Sequence, residues 1–218
     1  MAIEYLPPIA IDGHRSSGAG GPDHPMRIAT RRAAGLDRAG WTDDLRKEVA
    51  GYFDAIAGEW HTRISSHRTA VVLDALSRGL DPIDRPAGPA VEIGSGIGSY
   101  SGLIAERFST VVAIDLSLAM LTLAPAAPAR RIQADGARLP LRDGSAAAVV
   151  LINAFLFPAE VERVLSPGGV LVWVNISGEQ TPIYLSVEDL LAGLTGEWTG
   201  RSSRAGEGQW CVLTRRSP

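Results

Sequence analysis

The chain has 218 residues, 45% of them hydrophobic and 21% charged, with a net charge of -3. That is apolar material for one full core, so one large domain is expected rather than two. The even spread of charge excludes a global basic field for nucleic acid or an anionic membrane.

Cys211 is the only cysteine, which excludes an internal disulfide, and no Cys/His cluster has zinc-ligand spacing, so no metal is expected. A reducing cytoplasm fits. The start of the chain lacks the basic and long apolar regions of a secretory signal. The longest apolar stretch, 146–157, is interrupted by Asn153 and falls short of the ~20 residues a bilayer crossing needs. The expectation is a soluble protein with a small-molecule partner, with no membrane or nucleic acid, and with its oligomeric state open.

In chain order, "SSGAGG" at 16–21 lies between prolines and cannot repay the entropy of ordering, which predicts an arm or mobile lid over residues 1 to about 25. Residues 27–40 are helical in propensity and arginine-rich, but Asp23, Asp37, Asp43 and Asp44 cancel much of the field. That pattern suits a solvated helix face better than a phosphate site. From Asp43 to Gly58, Leu45, Val49, Tyr52, Phe53 and Ile56 recur at three- and four-residue spacing, one face of an amphipathic helix. A second helix is expected over 66–78, closed by Gly79, and "DPIDRPAGP" then forces a break.

After Pro89, short β-branched runs alternate with helical stretches. Strands are expected at 90–94, 110–115, 131–135, 147–153 and 169–176, and helices at 100–108, 117–123, 159–165 and 186–194. Such alternation means right-handed crossovers and a mostly parallel sheet covered on both faces. Two runs around "AGEG" close the chain as a hairpin, so the sheet ends in an antiparallel pair.

In an open parallel sheet, ligands bind beyond the carboxyl ends of the strands, where the connection order reverses. "VEIGSGIGSYS", 91–101, follows the first of these strands. Gly94, Gly96 and Gly98 let backbone N–H groups approach a ligand closely. A dinucleotide fingerprint needs G-x-G-x-x-G, and counting from Gly94 puts Ser99 at its last position. Glu92 is also a poor neighbour for a pyrophosphate. It suits an ammonium or sulfonium.

These residues resemble the class I S-adenosylmethionine-dependent methyltransferases, in particular the small-molecule branch with the ubiquinone/menaquinone-type domain. The resemblance implies an α/β fold, a Rossmann-like doubly wound, mostly parallel seven-stranded sheet with an antiparallel C-terminal hairpin strand. It also implies a chain divided into an arm over 1–40 and a methyltransferase domain over 41–218, with a helical lid at 41–80 and the core at 88–218. The implied cofactor is S-adenosyl-L-methionine, and its implied contacts begin with Glu92, Gly94, Ser95, Gly96 and Gly98. "VVAIDLSLAML" is similar to the family's second motif, placing Asp115 at the ribose with Leu116 and Met120 beside the adenosine. "QADGARLPLRDGSAAAVVLINAF" is similar to the third and fourth, which gives Asp135 the adenine amino group, Gly136 room for the ring, and Asn153 a place near the methyl group. "RVLSPGGVLVWV" resembles the helix, Pro-Gly-Gly turn and strand that follow.

"YFDAIAGEWHTR", 52–63, resembles the family's amino-terminal lid, with Trp60-His61 replacing the usual Tyr-Asp. Tyr52, Trp60, His61 and Phe155 are the acceptor-side candidates, and His61 is the one candidate base. Each residue has a plainer alternative. Asp115 and Asp135 suit helix caps, Glu92 a buried ion pair, Gly98 helix packing, His61 an exposed or structural position, and Met120, Tyr52, Trp60 and Phe155 core packing. The segment after the fourth strand, "NAFLFPAEVER", is shorter than in relatives, so quinone specificity is not inherited. Besides methyl transfer to a small molecule, three readings remain open: a cofactor-binding protein that has lost transfer, an NAD(P) oxidoreductase, and an RNA methyltransferase resting on Arg27, Arg31, Arg32 and Arg38.

Overall fold

The computed structural model describes residues 2–12, 20–126 and 129–215, so part of the expected arm, 13–19, lies outside the described residues. Apolar runs rich in Val and Ile form the strands β2 (Ala90–Ile93), β3 (Val111–Asp115), β4 (Ala129–Gln133), β5 (Ala146–Ile152) and β6 (Leu165–Asn175). β5 is buried at every position, as a central parallel strand with both faces covered must be.

The amino-terminal strand β1 (Ala2–Tyr5) and the hairpin β7 (Trp198–Ala205) and β8 (Gly208–Arg215) complete an eight-stranded sheet of order β1-β7-β8-β6-β5-β2-β3-β4. β8 runs antiparallel to β6 and β7, and the other pairs are parallel. The expected sheet had seven strands. The eighth is β1, drawn from the segment read as an arm. It is bonded along β7, Glu4 pairs with Arg201 at 3.0 Å, and Ser203 Oγ donates to the carbonyls of Leu6 and Pro7 at 3.1 and 3.0 Å.

Alternate residues of each strand feed two cores. On one face Val91, Val149, Leu171 and Leu213 pack under α6 (Pro158–Val164) and α7 (Val187–Gly193). On the other, Val150, Val172 and Val212 pack under α3 (Ser66–Asp74) and α4 (Ser101–Ala105). The helix begun by α3 continues as a π-helical turn, Ala75–Leu80, in which a Cβ on Gly79 would stand 2.6 Å from Val212.

The Pro167-Gly168-Gly169 turn expected before β6 lies inside that strand. The pairing of β5 with β6 slips between Ala146 and Ala148, and Gly168 takes φ +75° to absorb the extra residues.

Two helices cap the carboxyl ends of the strands. α1 (Pro25–Ala33) and α2 (Asp43–Ile56) share a small core of Met26, Ala29, Val49 and Ile183. Arg27 fastens the cap by donating to the carbonyls of Gly20, Glu179, Thr181 and Pro182. Among the described residues no helix is long and apolar enough to cross a membrane.

Candidate functional site

The chain leaves β2 for β3 and β4 on one side, then returns to β5 on the other, so the connection order reverses beside β2. A cleft opens there, under the cap. Its floor is the glycine loop. The amides of Gly94 and Ser95 donate to the Ile114 carbonyl at 2.8 and 3.1 Å, bending the chain sharply at the end of β2. Gly94 has φ +69°, and a Cβ there would stand 2.7 Å from that of Ala154. Gly96 has φ +55°, with Trp60 Nε1 3.3 Å from where its Cβ would lie. Both positions require glycine.

Asp115 organises the loop. Its Oδ2 accepts from the Gly96 amide at 2.7 Å and its Oδ1 from the Ser117 amide at 2.8 Å. Burial pushes its carboxyl above the usual range, and those two amides pull it back. Ser117 in turn caps α5 (Leu118–Leu123), accepting from the Met120 amide at 3.1 Å. Its hydroxyl donates to Asp54 Oδ1 at 2.5 Å, which ties α2 to the site.

Glu92 is 2% exposed and accepts from the Ser101 hydroxyl. It has no ion-pair partner among the described residues, so the buried ion pair is absent. Burial raises its carboxyl to about 7. Ser95 Oγ and Ser99 Oγ are buried on the cleft wall with no hydrogen-bond partner. Buried hydroxyls are rarely left so.

At the other end Asp135 is engaged by the protein. Its Oδ2 accepts from the Trp41 indole at 3.2 Å and its Oδ1 from the Ala137 amide at 2.9 Å. The room expected at Gly136 is filled. A Cβ there would stand 2.5 Å from the Phe157 ring, which itself meets Trp41 edge-on with centroids 5.1 Å apart. Asn153 closes β5 in the left-handed region, φ +48°, and its Oδ1 accepts from the Ile176 amide at 2.8 Å. Its side chain therefore pins two strand ends together.

The cleft brings together Glu92, Gly94, Ser95, Gly96, Asp115, Leu116, Met120, Asp135, Gly136, Asn153, Trp60 and Phe155. Three candidates stand outside it. Gly98 packs against Ser101, where its Cβ would lie 3.3 Å from the hydroxyl. Tyr52 is 39% exposed on the outer face of α2. His61 is exposed, its Nδ1 3.1 Å from the Gly58 carbonyl, so no acceptor in the cleft meets it. The 3₁₀ turn Ala57–Arg63 sends Trp60 inward and His61 outward. Sequence reasoning missed Trp41, Arg63, Arg68 and Ile183. For Trp41, Arg63 and Arg68 the available signal was apolar or cationic residues near the lid motif, but no spacing rule aims them inward, and Ile183 lies far along the chain from that motif.

A sheet of this order, with a glycine loop after its inner strand and an acid ending the next, defines the class I methyltransferase fold. Residues 91–173 match the Methyltransferase domain family. Over 151 residues the chain is 30% identical to a malonyl-[acyl-carrier protein] O-methyltransferase of Marinomonas sp. (strain MWYL1), covering 63% of this chain and 54% of that protein. It thus spans about half the length of that curated relative. The DhpI–SAH complex superposes with TM-score 0.62 at 19% identity, covering 82% of this chain and all of the other. A SAM-dependent methyltransferase of Thermotoga maritima gives 0.57 at 16% identity, covering 75% and 98%. At these identities the structures speak to fold. S-adenosylmethionine is the cofactor of this class.

Proposed function

We propose that the protein transfers a methyl group from S-adenosylmethionine to a small-molecule acceptor. The observation that carries this reading is the pair of serine hydroxyls, Ser95 and Ser99, buried and unpartnered beside the glycine loop. They fit the carboxylate of an amino-acid tail as donors, with the Glu92 carboxylate close by for its ammonium. Asp115 keeps unused lone pairs beside its two amides and suits the ribose hydroxyls. Met120 and Leu116 supply apolar surface for the adenine. Asp135 meets the adenine amino group once the Trp41 indole gives way.

The cofactor supplies an activated methyl on a sulfonium. The chain's part is to hold the acceptor in line with that methyl and to exclude water, a proximity effect worth about 7–11 kcal/mol. Phe53 and Trp60, edge to face with centroids 5.8 Å apart, wall the cleft. A ring face beside the sulfonium adds about 0.5–2 kcal/mol. In this reading 41–80 acts as lid over a core at 88–218, with 1–40 as an arm lashed down by β1.

The curated relative acts, by its name, on malonyl-[acyl-carrier protein]. A carrier-bound acyl group is therefore one acceptor to try beside free metabolites. The test is single-turnover incubation with methyl-labelled S-adenosylmethionine and both sorts of acceptor. Label in an organic product, with S-adenosylhomocysteine formed in equal amount, is expected. Cofactor binding without transfer to any of them would favour a protein that has lost the reaction.

A further inference from the structure

Resting on the cofactor reading above, we infer that Trp41 is the site's own stand-in for the adenine base. Its indole holds the carboxylate at the base end of the cleft, and the cofactor enters by displacing it, so loading the cofactor unfastens the start of the lid from the core. Asp135 has one oxygen left to offer a base. Its Oδ1 accepts from the Ala137 amide at 2.9 Å and closes a local turn. The Trp41 indole donates to Oδ2 at 3.2 Å, and Arg46 Nε stands 3.9 Å from that same oxygen. An indole and an adenine are alike in what counts here: each is a flat fused pair of rings with an N–H donor at its edge. They compete for one acceptor oxygen. A residue that merely roofed the base would leave Oδ2 free.

Rings of the protein itself close this end of the cleft. Trp41 meets Phe155 at 5.5 Å, tilted by 47°, and Phe157 edge-on at 5.1 Å. Phe157 in turn lies over Gly136, where a Cβ would stand 2.5 Å from its ring. The fastening is light. Trp41 is half-buried and directly precedes Thr42, whose hydroxyl caps α2. It follows Gly40, which has φ +62° and nothing within 4 Å of its Cβ position. Among the described residues the other hydrogen bonds of 37–41 are local: the Gly40 amide donates to the Asp37 carbonyl, and the Ala39 amide and Arg32 donate to the Asp37 carboxylate. The indole bond to Asp135 is thus the one hydrogen bond that ties this stretch to the core. The ring can leave without unfolding a helix or a strand, as a low-stability segment opens. A roof and a stand-in differ in sign. A roof adds to cofactor affinity, whereas a stand-in lowers it by the fraction of molecules in which the ring has left.

The test is calorimetry on the full chain with S-adenosylhomocysteine and with 5′-methylthioadenosine, which carries the base and no amino-acid tail. Trp41→Ala is expected to bind both about fivefold tighter than the wild type, or more. Trp41→Phe keeps a ring against Phe155 and Phe157 and loses the donor, so its affinities should rise by a smaller factor. Hydrogen exchange on the wild type supplies a readout that needs no variant. S-adenosylhomocysteine should quicken exchange of the amides over 37–42 while slowing those of 94–98. Weaker or unchanged binding by the variants, or exchange over 37–42 that slows or stays the same, makes the indole a roof or a bystander. Either result overturns the inference and leaves the cofactor reading standing. No binding of either ligand by the wild type and both variants overturns both.

Discussion

The amide of Gly96 donates to Asp115 Oδ2 at 2.7 Å, and this bond sews the loop after β2 to the end of β3. Asp115→Ala orphans two buried amides, at about 1–3 kcal/mol each. Asp115→Asn keeps one acceptor oxygen, so it should lose about half as much stability as Asp115→Ala. Chemical denaturation measures the stability, and calorimetry should show S-adenosylhomocysteine affinity falling in both variants.

Gly96→Ala meets two obstacles, a left-handed backbone at φ +55° and the Trp60 indole 3.3 Å from the new methyl. The backbone part alone costs about 1–2 kcal/mol. The steric part should vanish in a Trp60→Ala background. A double-mutant cycle on unfolding free energy should therefore show the two positions coupled by about 0.5 kcal/mol or more.

The motifs that were legible in the sequence are those in which backbone geometry needs particular residue types. The glycines at 94 and 96, the acid ending β3 and the β-branched strands follow from local chemistry, and the structure has them where the pattern put them. What could not be read depends on partners distant in sequence. β1 is four residues long and pairs with a strand nearly the whole chain away, so neither its length nor its period announced it. Trp41 reaches Asp135 across 94 positions. The room assigned to Gly136 belongs to Phe157, a neighbour that only the closed fold supplies. For His61 the motif marked the right segment, but the 3₁₀ turn decides which of two adjacent side chains faces in.

Asp54 reaches from α2 to the start of α5, accepting from Ser117 Oγ at 2.5 Å and from the Ala119 amide at 3.3 Å. Asp54→Ala should cost about 0.5–2 kcal/mol, the usual value of a lost helix cap. Hydrogen exchange should quicken in α5 and in the last turns of α2 while the central strands stay protected. Unchanged exchange would mean that the lid is held by its apolar contacts alone.

Glu92 sets a pH dependence. Its folded carboxyl, raised to about 7, lies above the unfolded one. The stability it contributes is therefore fully present below the ordinary glutamate range and is lost as pH rises through about 7. Glu92→Gln should flatten that part of the stability profile. An ammonium bound beside the carboxylate lowers its proton affinity, so S-adenosylhomocysteine should release up to about half a proton at pH 7. Calorimetry in buffers of different ionisation enthalpy reads this release, which should be absent in the Gln variant.

The central claim is that the crevice beside β2 is shaped for one adenosine bearing an amino-acid tail. Titrating the full chain with S-adenosylhomocysteine by calorimetry tests it most directly. Saturable binding to a single site, weakened by Asp115→Asn and not displaced by NADH, is expected. A flat titration, or displacement by NADH, would contradict it.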